Sequence, residues 1–138
     1  MNSIKRCFLF VFVCFINYAM SAQNQPPGIS VSGREAYCPL SQTLIAENFT
    51  IRDPDNTGIP NFYIQISSGY DQSSDRIFLT GSHPTIISSW DVAEGRLTLS
   101  PSSGSEILFP NLEEAVRSIV FESTSVNVSG EKFFSFTI

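Results

Sequence analysis

The sequence predicts a mainly β chain, folded as a small antiparallel β-sandwich with one short helix near 111–118. Two observations carry this. From Phe49 onward the apolar runs are short and alternate between two faces, and each is cut off by Gly, Pro, Asp, Asn or Ser. Helical spacing interrupts the alternation at one place, Leu112, Ala115, Val116 and Ile119.

The elements follow in order. Gln23 to Gly28 is a polar, Pro-rich lead-in that Pro26 and Pro27 hold extended. Ile29 to Val31 starts a first strand, Cys38-Pro39 marks a turn, and Thr43 to Ala46 resumes an extended run. Phe49 and Ile51 share a face of a strand ending at Asp53. Asp53-Pro54-Asp55-Asn56-Thr57-Gly58 is turn chemistry. Pro54 fixes φ, Asp and Asn bond their own backbone, and Gly58 can take positive φ. Phe62, Ile64 and Ile66 face one way in the next strand, with Tyr63 and Gln65 facing the other. After a polar loop from Ser67 to Asp75, Arg76 to Thr80 forms a strand with Ile77 and Leu79 on one face.

Ile86 to Trp90 and Arg96 to Leu99 form a hairpin across the five residues Asp91 to Gly95. In the helix, Asn111 is the expected N-cap, which puts Glu113 and Glu114 in the positive first turn. Ile119-Val120-Phe121 returns to strand, and Phe134, Phe136 and Ile138 alternate in the last one. Phe49, Ile51, Phe62, Ile64, Ile66, Leu97, Leu99, Phe121, Phe134 and Phe136 are expected to share one core.

Residues 1–22 have the form of an export signal. Lys5 and Arg6 precede an apolar core from Cys7 to Tyr18, and Ala19-Met20-Ser21-Ala22 offers small residues for cleavage after Ser21 or Ala22. The core is shorter than the ~20 residues of an ordinary membrane span. Losing Lys5 and Arg6 leaves six basic residues against thirteen acidic ones, a net charge of −7. That balance argues against nucleic acid and anionic membrane as partners. The expected organisation is a signal peptide at 1–22, a lead-in at 23–28 and one β-sandwich domain at 29–138, with no membrane span after signal removal. Cys38 alone of three cysteines survives processing, so no internal disulfide can form. It is either a buried apolar thiol or the partner of a cysteine elsewhere.

Taken as an ordered set, these blocks resemble cadherin-like repeats of bacterial surface proteins. The set is the DPD turn, the aromatic strand, the SSGY loop, the LTG strand, the SSWD…EGRLTL hairpin, the L-E-E-A-V-R-S-I-V-F helix-to-strand segment, NxSG and the F-S-F-T-I strand. The likeness is strongest to the N-terminal region of large secreted proteins of gliding bacteria exported by the type IX system, in which a segment like Tyr37-Cys38-Pro39 precedes the DPD block. It covers Pro26 to Ile138, and no single motif in it is specific. The resemblance implies an immunoglobulin-like sandwich serving as spacer, stalk or adhesion module, secreted or at the cell surface, without enzymatic activity. Its partners would be neighbouring domains, cell-surface proteins or glycans. The lectin-like and sorting domains that often follow in such proteins lie outside the likeness, and their roles are not carried over. The last strand runs to the final residue, from which a chain cut out of something longer is expected.

Calcium is the one cofactor with an argument behind it. Asp53, Asp55 and Asn56 offer oxygens at a strand end, and Asp71 and Asp75 in the next loop could add more. The competing reading is an Asx-turn that only closes the loop. A carbohydrate-binding module is the alternative function, with Tyr63, Tyr70 and Trp90 as stacking residues; Trp90 otherwise serves as a packing anchor. His83 is the only histidine and has no evident nucleophile or carboxylate partner in sequence, so no catalytic set is assigned. Asn48-Phe49-Thr50 and Asn127-Val128-Ser129 match the N-glycosylation pattern, which carries little meaning if the source is bacterial, as the resemblance implies.

Overall fold

Alternation along each strand decides which residues meet. The computed structural model describes residues 24–33, 35–127 and 130–138; the expected signal peptide lies outside the described residues. The strands are β1 (Gly28–Ser32), β2 (Gln42–Leu44), β3 (Asn48–Arg52), β4 (Gly58–Ile59), β5 (Phe62–Ser68), β6 (Asp75–Leu79), β7 (Ile86–Asp91), β8 (Arg96–Pro101), β9 (Ile107–Leu108), β10 (Ile119–Ser123) and β11 (Phe133–Thr137). Helix α1 (Phe109–Val116) follows β9 directly. A four-stranded sheet in the order β11-β5-β8-β7 and a three-stranded sheet β2-β10-β6 form the two layers. The pairs β1-β3 and β4-β9 complete the fold, and every pairing is antiparallel. The described residues form a β-sandwich with one short helix, as their pattern predicts.

Register turns the period-two pattern into a core. Phe136, Ile64, Leu97 and Trp90 stand side by side across the larger sheet, with Phe62 and Leu99 paired one step along. On the smaller sheet Phe121 pairs with Ile77 and Ile119 with Leu79. Phe49, Ile51, Phe62, Ile64, Ile77, Leu97, Leu99 and Ile119 are all buried. Phe49 and Phe62 meet edge to face, with centroids 5.3 Å apart. Eight of the ten expected core residues are buried, but Phe134 and Phe136 are only half-buried, packed against the core from outside. Alternation reports which face a side chain takes, and β11 is an edge strand with a neighbour on one side only.

The helix begins two residues before the expected start. Leu108, with no side-chain cap, is the N-cap, and Pro110 sits in the first turn, where its missing N–H costs nothing. Asn111 is therefore not the cap, and Glu113 and Glu114 fall beyond the first turn. Glu113 is spent on β3 instead: its Oε1 accepts from the Ile51 backbone N–H at 3.1 Å and from Arg52 Nη1 at 2.8 Å. That ties α1 to the core strand while Phe109, Leu112, Ala115 and Val116 bury its apolar face.

Three smaller corrections have equally local causes. Gly58 does not take positive φ. It belongs to β4, where a Cβ would stand 2.8 Å from the Ile107 carbonyl, so close approach of backbone demands glycine. The β7–β8 hairpin has a four-residue loop, because Asp91 still belongs to β7; its Oδ1 accepts from the Ala93 and Glu94 N–H groups. Cys38 is exposed rather than buried, at a turn closed by the Ser41 N–H and hydroxyl on the Cys38 carbonyl.

Candidate functional site

The residues singled out in sequence fall into three places. The first is the β3–β4 turn. Asp53 Oδ1 accepts the N–H groups of Asp55 (2.9 Å) and Asn56 (3.1 Å), and Oδ2 accepts from Asn56 Nδ2 at 3.1 Å. These bonds are those of an Asx-turn. The bond from the Asp55 N–H is the main reason the Asp53 carboxyl lies below its ordinary range. Asp55 Oδ2 accepts the Gln25 N–H and Asn56 Nδ2 donates to Asn24 Oδ1, so the turn also pins the lead-in.

The second place is the β5–β6 loop. Asp71 accepts from the Ser73 hydroxyl and N–H and from the Ser74 hydroxyl, which hold its carboxyl low. Asp75 shares a face of β6 with Ile77 and Leu79, so its carboxylate points into the end of the core beside the buried Ser123. Lys132, just before β11, reaches it: Nζ stands 2.5 Å from Asp75 Oδ2 and 2.7 Å from the Gly69 carbonyl. The structure does not bring this loop together with Asp53, Asp55 and Asn56. The two groups of carboxylates are bonded to different segments, and among the described residues no cluster of three or more His, Cys, Asp or Glu is placed to hold a metal ion.

The aromatic residues are the third place. Trp90 lies on the inner face of β7 opposite Leu97 and meets Tyr70 edge to face at 6.2 Å. The Tyr70 hydroxyl donates to the Val92 carbonyl at 2.6 Å, and its ring closes over Gly95, where a Cβ would sit 2.9 Å from it. Burial, with the charges of Asp75, Asp91 and Asp71, pushes the Tyr70 phenol up. Tyr63 faces the opposite way, paired with Thr98, with the Arg96 guanidinium 5.5 Å from its ring. Tyr63, Tyr70 and Trp90 thus do not form one flat stacking strip. Trp90 and Tyr70 pack the hairpin instead.

Two features were missed in sequence. Lys132 gave no signal as a lone cation in a loop, although Asp75 shares the parity of Ile77 and Leu79. The other is a groove of about 1100 Å³ between the edge strands β2 and β11, walled by Val31, Leu44, Ile45, Phe134 and Phe136. Tyr37 closes one side, its ring against Phe121 and its hydroxyl bonded to the Ser123 backbone. At its rim a hydrogen bond with Glu47, and the Glu47 charge, push the Glu35 carboxyl up. Among the described residues, His83 Nε2 lies 3.0 Å from the Thr80 carbonyl three residues away.

Comparison with known proteins gives one informative match. The chain is 29% identical over 91 residues to halomucin of Haloquadratum walsbyi (strain DSM 16790 / HBSQ001), a stretch covering 64% of this chain and 1% of that protein. The chain thus spans about one hundredth of the length of the curated relative it matches. No family model matches, and no solved structure matches.

Proposed function

We propose that the chain is a non-catalytic structural or adhesion module of a secreted or cell-surface protein. The observation that carries this reading is the match itself: about two thirds of the chain corresponds to one hundredth of halomucin, which is how a small module relates to a very long protein. The likeness to cadherin-like repeats and the export-type N-terminus of the sequence point the same way. The polar side chains hold segments of the fold together, which supports a structural role. Asp53 closes a turn, Glu113 anchors a helix to a strand, and Lys132 ties a loop to the last strand. The carbohydrate reading has less behind it, since its three aromatic residues do not share a face.

The test is deletion in the source cells. Loss of the chain should reduce attachment of cells to surfaces or to one another, and export of a plasmid-borne copy should restore it. Unchanged attachment, together with loss of an enzymatic activity from the medium, would overturn the proposal.

A further inference from the structure

We propose that Lys132 and Asp75 condense to a side-chain amide, an intramolecular isopeptide cross-link between the start of β6 and the residue preceding β11. The reacting groups are already in contact, with Nζ 2.5 Å from Oδ2. The Asp75 side chain is fully buried and that of Lys132 nearly so. The Phe121 ring packs beneath Nζ, with its centroid 5.5 Å away.

The surroundings match what amide formation requires. The Asp71 backbone N–H donates to Asp75 Oδ2 at 2.8 Å and fixes the carboxyl in place. The Ser74 hydroxyl, which donates to Asp71 Oδ2 at 2.8 Å, lies 3.5 Å from Asp75 Oδ1. The Gly69 carbonyl, 2.7 Å from Nζ, is the acceptor an amide N–H would need afterwards. Gly69 is held at positive φ, with a Cβ position only 2.6 Å from the Glu131 carbonyl, so only glycine lets this loop come so close to Lys132. Beside the pair a polar recess of about 230 Å³, lined by Asp71, Ser74, Ser123 and Asn127, can receive a leaving water.

The step balances without a co-reactant. Lys132 Nζ first gives a proton to Asp75 Oδ2. The amine lone pair then attacks Cγ, forming the C–N bond, and charge collects on Oδ1. A second nitrogen proton passes to the Oδ2 hydroxyl, the Cγ–Oδ2 bond breaks, and one water leaves. Oδ1 remains as the amide oxygen and the last proton stays on nitrogen. No redox change occurs. Condensation in water is uphill for free groups, but fixed neighbours react with effective concentrations of about 10⁵–10⁸ M.

The experiment is peptide mapping of the folded, purified chain. Trypsin should leave Lys132 uncut and yield residues 53–76 joined to residues 118–138, lighter than the two peptides together by one water. Lys132→Arg preserves the ion pair but should give separate peptides. Asp75→Asn should give the joined product with loss of ammonia in place of water. Recovery of peptides 118–132 and 133–138 from the wild-type chain, cut after Lys132, would overturn the proposal and leave an ordinary buried ion pair.

Discussion

Replacing Phe62 by alanine probes the two-sheet core where it is densest. Phe62 is fully buried, pairs with Leu99 across β5–β8, and its ring meets Phe49 at 5.3 Å and Phe136 at 6.5 Å. Truncation removes buried aromatic surface and leaves a void between the layers, at a cost of about 3–5 kcal/mol. The edge-to-face contact with Phe49 accounts for about 0.5–1.5 kcal/mol beyond burial. Domains of this size are stable by roughly 5–15 kcal/mol, so the variant should lose a large part of the total. Phe133 is the internal control. It neighbours the half-buried Phe134 in the same strand but is itself 55% exposed, and Phe133→Ala should change stability by less than about 0.5 kcal/mol. Urea melts followed by circular dichroism measure both. A Phe62→Ala loss below about 1 kcal/mol, or equal losses at the two sites, would show that the inner and outer faces are wrongly assigned.

Three further outcomes follow from named bonds. Glu113→Ala strands the part-buried Ile51 N–H and should cost about 1–3 kcal/mol in urea melts, whereas Glu113→Gln keeps an acceptor there and should cost less. The Asp53 and Asp71 carboxyls are held below their ordinary range, so the stability they contribute is present at neutral pH and lost as pH falls through their lowered folded values. Asp53→Asn keeps the turn acceptor but removes the charge, and should flatten the acid limb of a stability–pH curve measured from about pH 6 to about pH 2. Since the Asp53 oxygens already accept three bonds, millimolar calcium should raise Tm no more than matched magnesium. A calcium-specific rise that Asp53→Asn with Asp55→Asn abolishes would place the ion at the turn.

Most of the sandwich was legible because a half-buried strand must alternate. Phe62, Ile64 and Ile66 announce β5, and the 86–99 hairpin carries its own turn chemistry. What escaped has physical causes. β4 and β9 are two residues each, too short for any period. Asn111 is a good N-cap by type, but Pro110 and the incoming strand β9 fixed the helix start earlier. The alternation of Phe134 and Phe136 could not reveal that β11 is an edge. Candidate-site residues were harder to read. Asp53 was legible as a turn former, and the structure shows its turn bonds. Asp71 and Asp75 look like further oxygen ligands in sequence, yet Asp75 turns inward to meet a lysine 57 residues away, a contact only tertiary structure creates.

Export of the module to or beyond the cell surface can be tested by mass spectrometry of fractionated source cells, combined with protease treatment of intact cells. The chain should be found outside the cytoplasm with its N-terminus at Ala22 or Gln23, and protease added to intact cells should remove it from the surface fraction. Recovery of the chain beginning at Met1, protected from protease inside the cell, would contradict it.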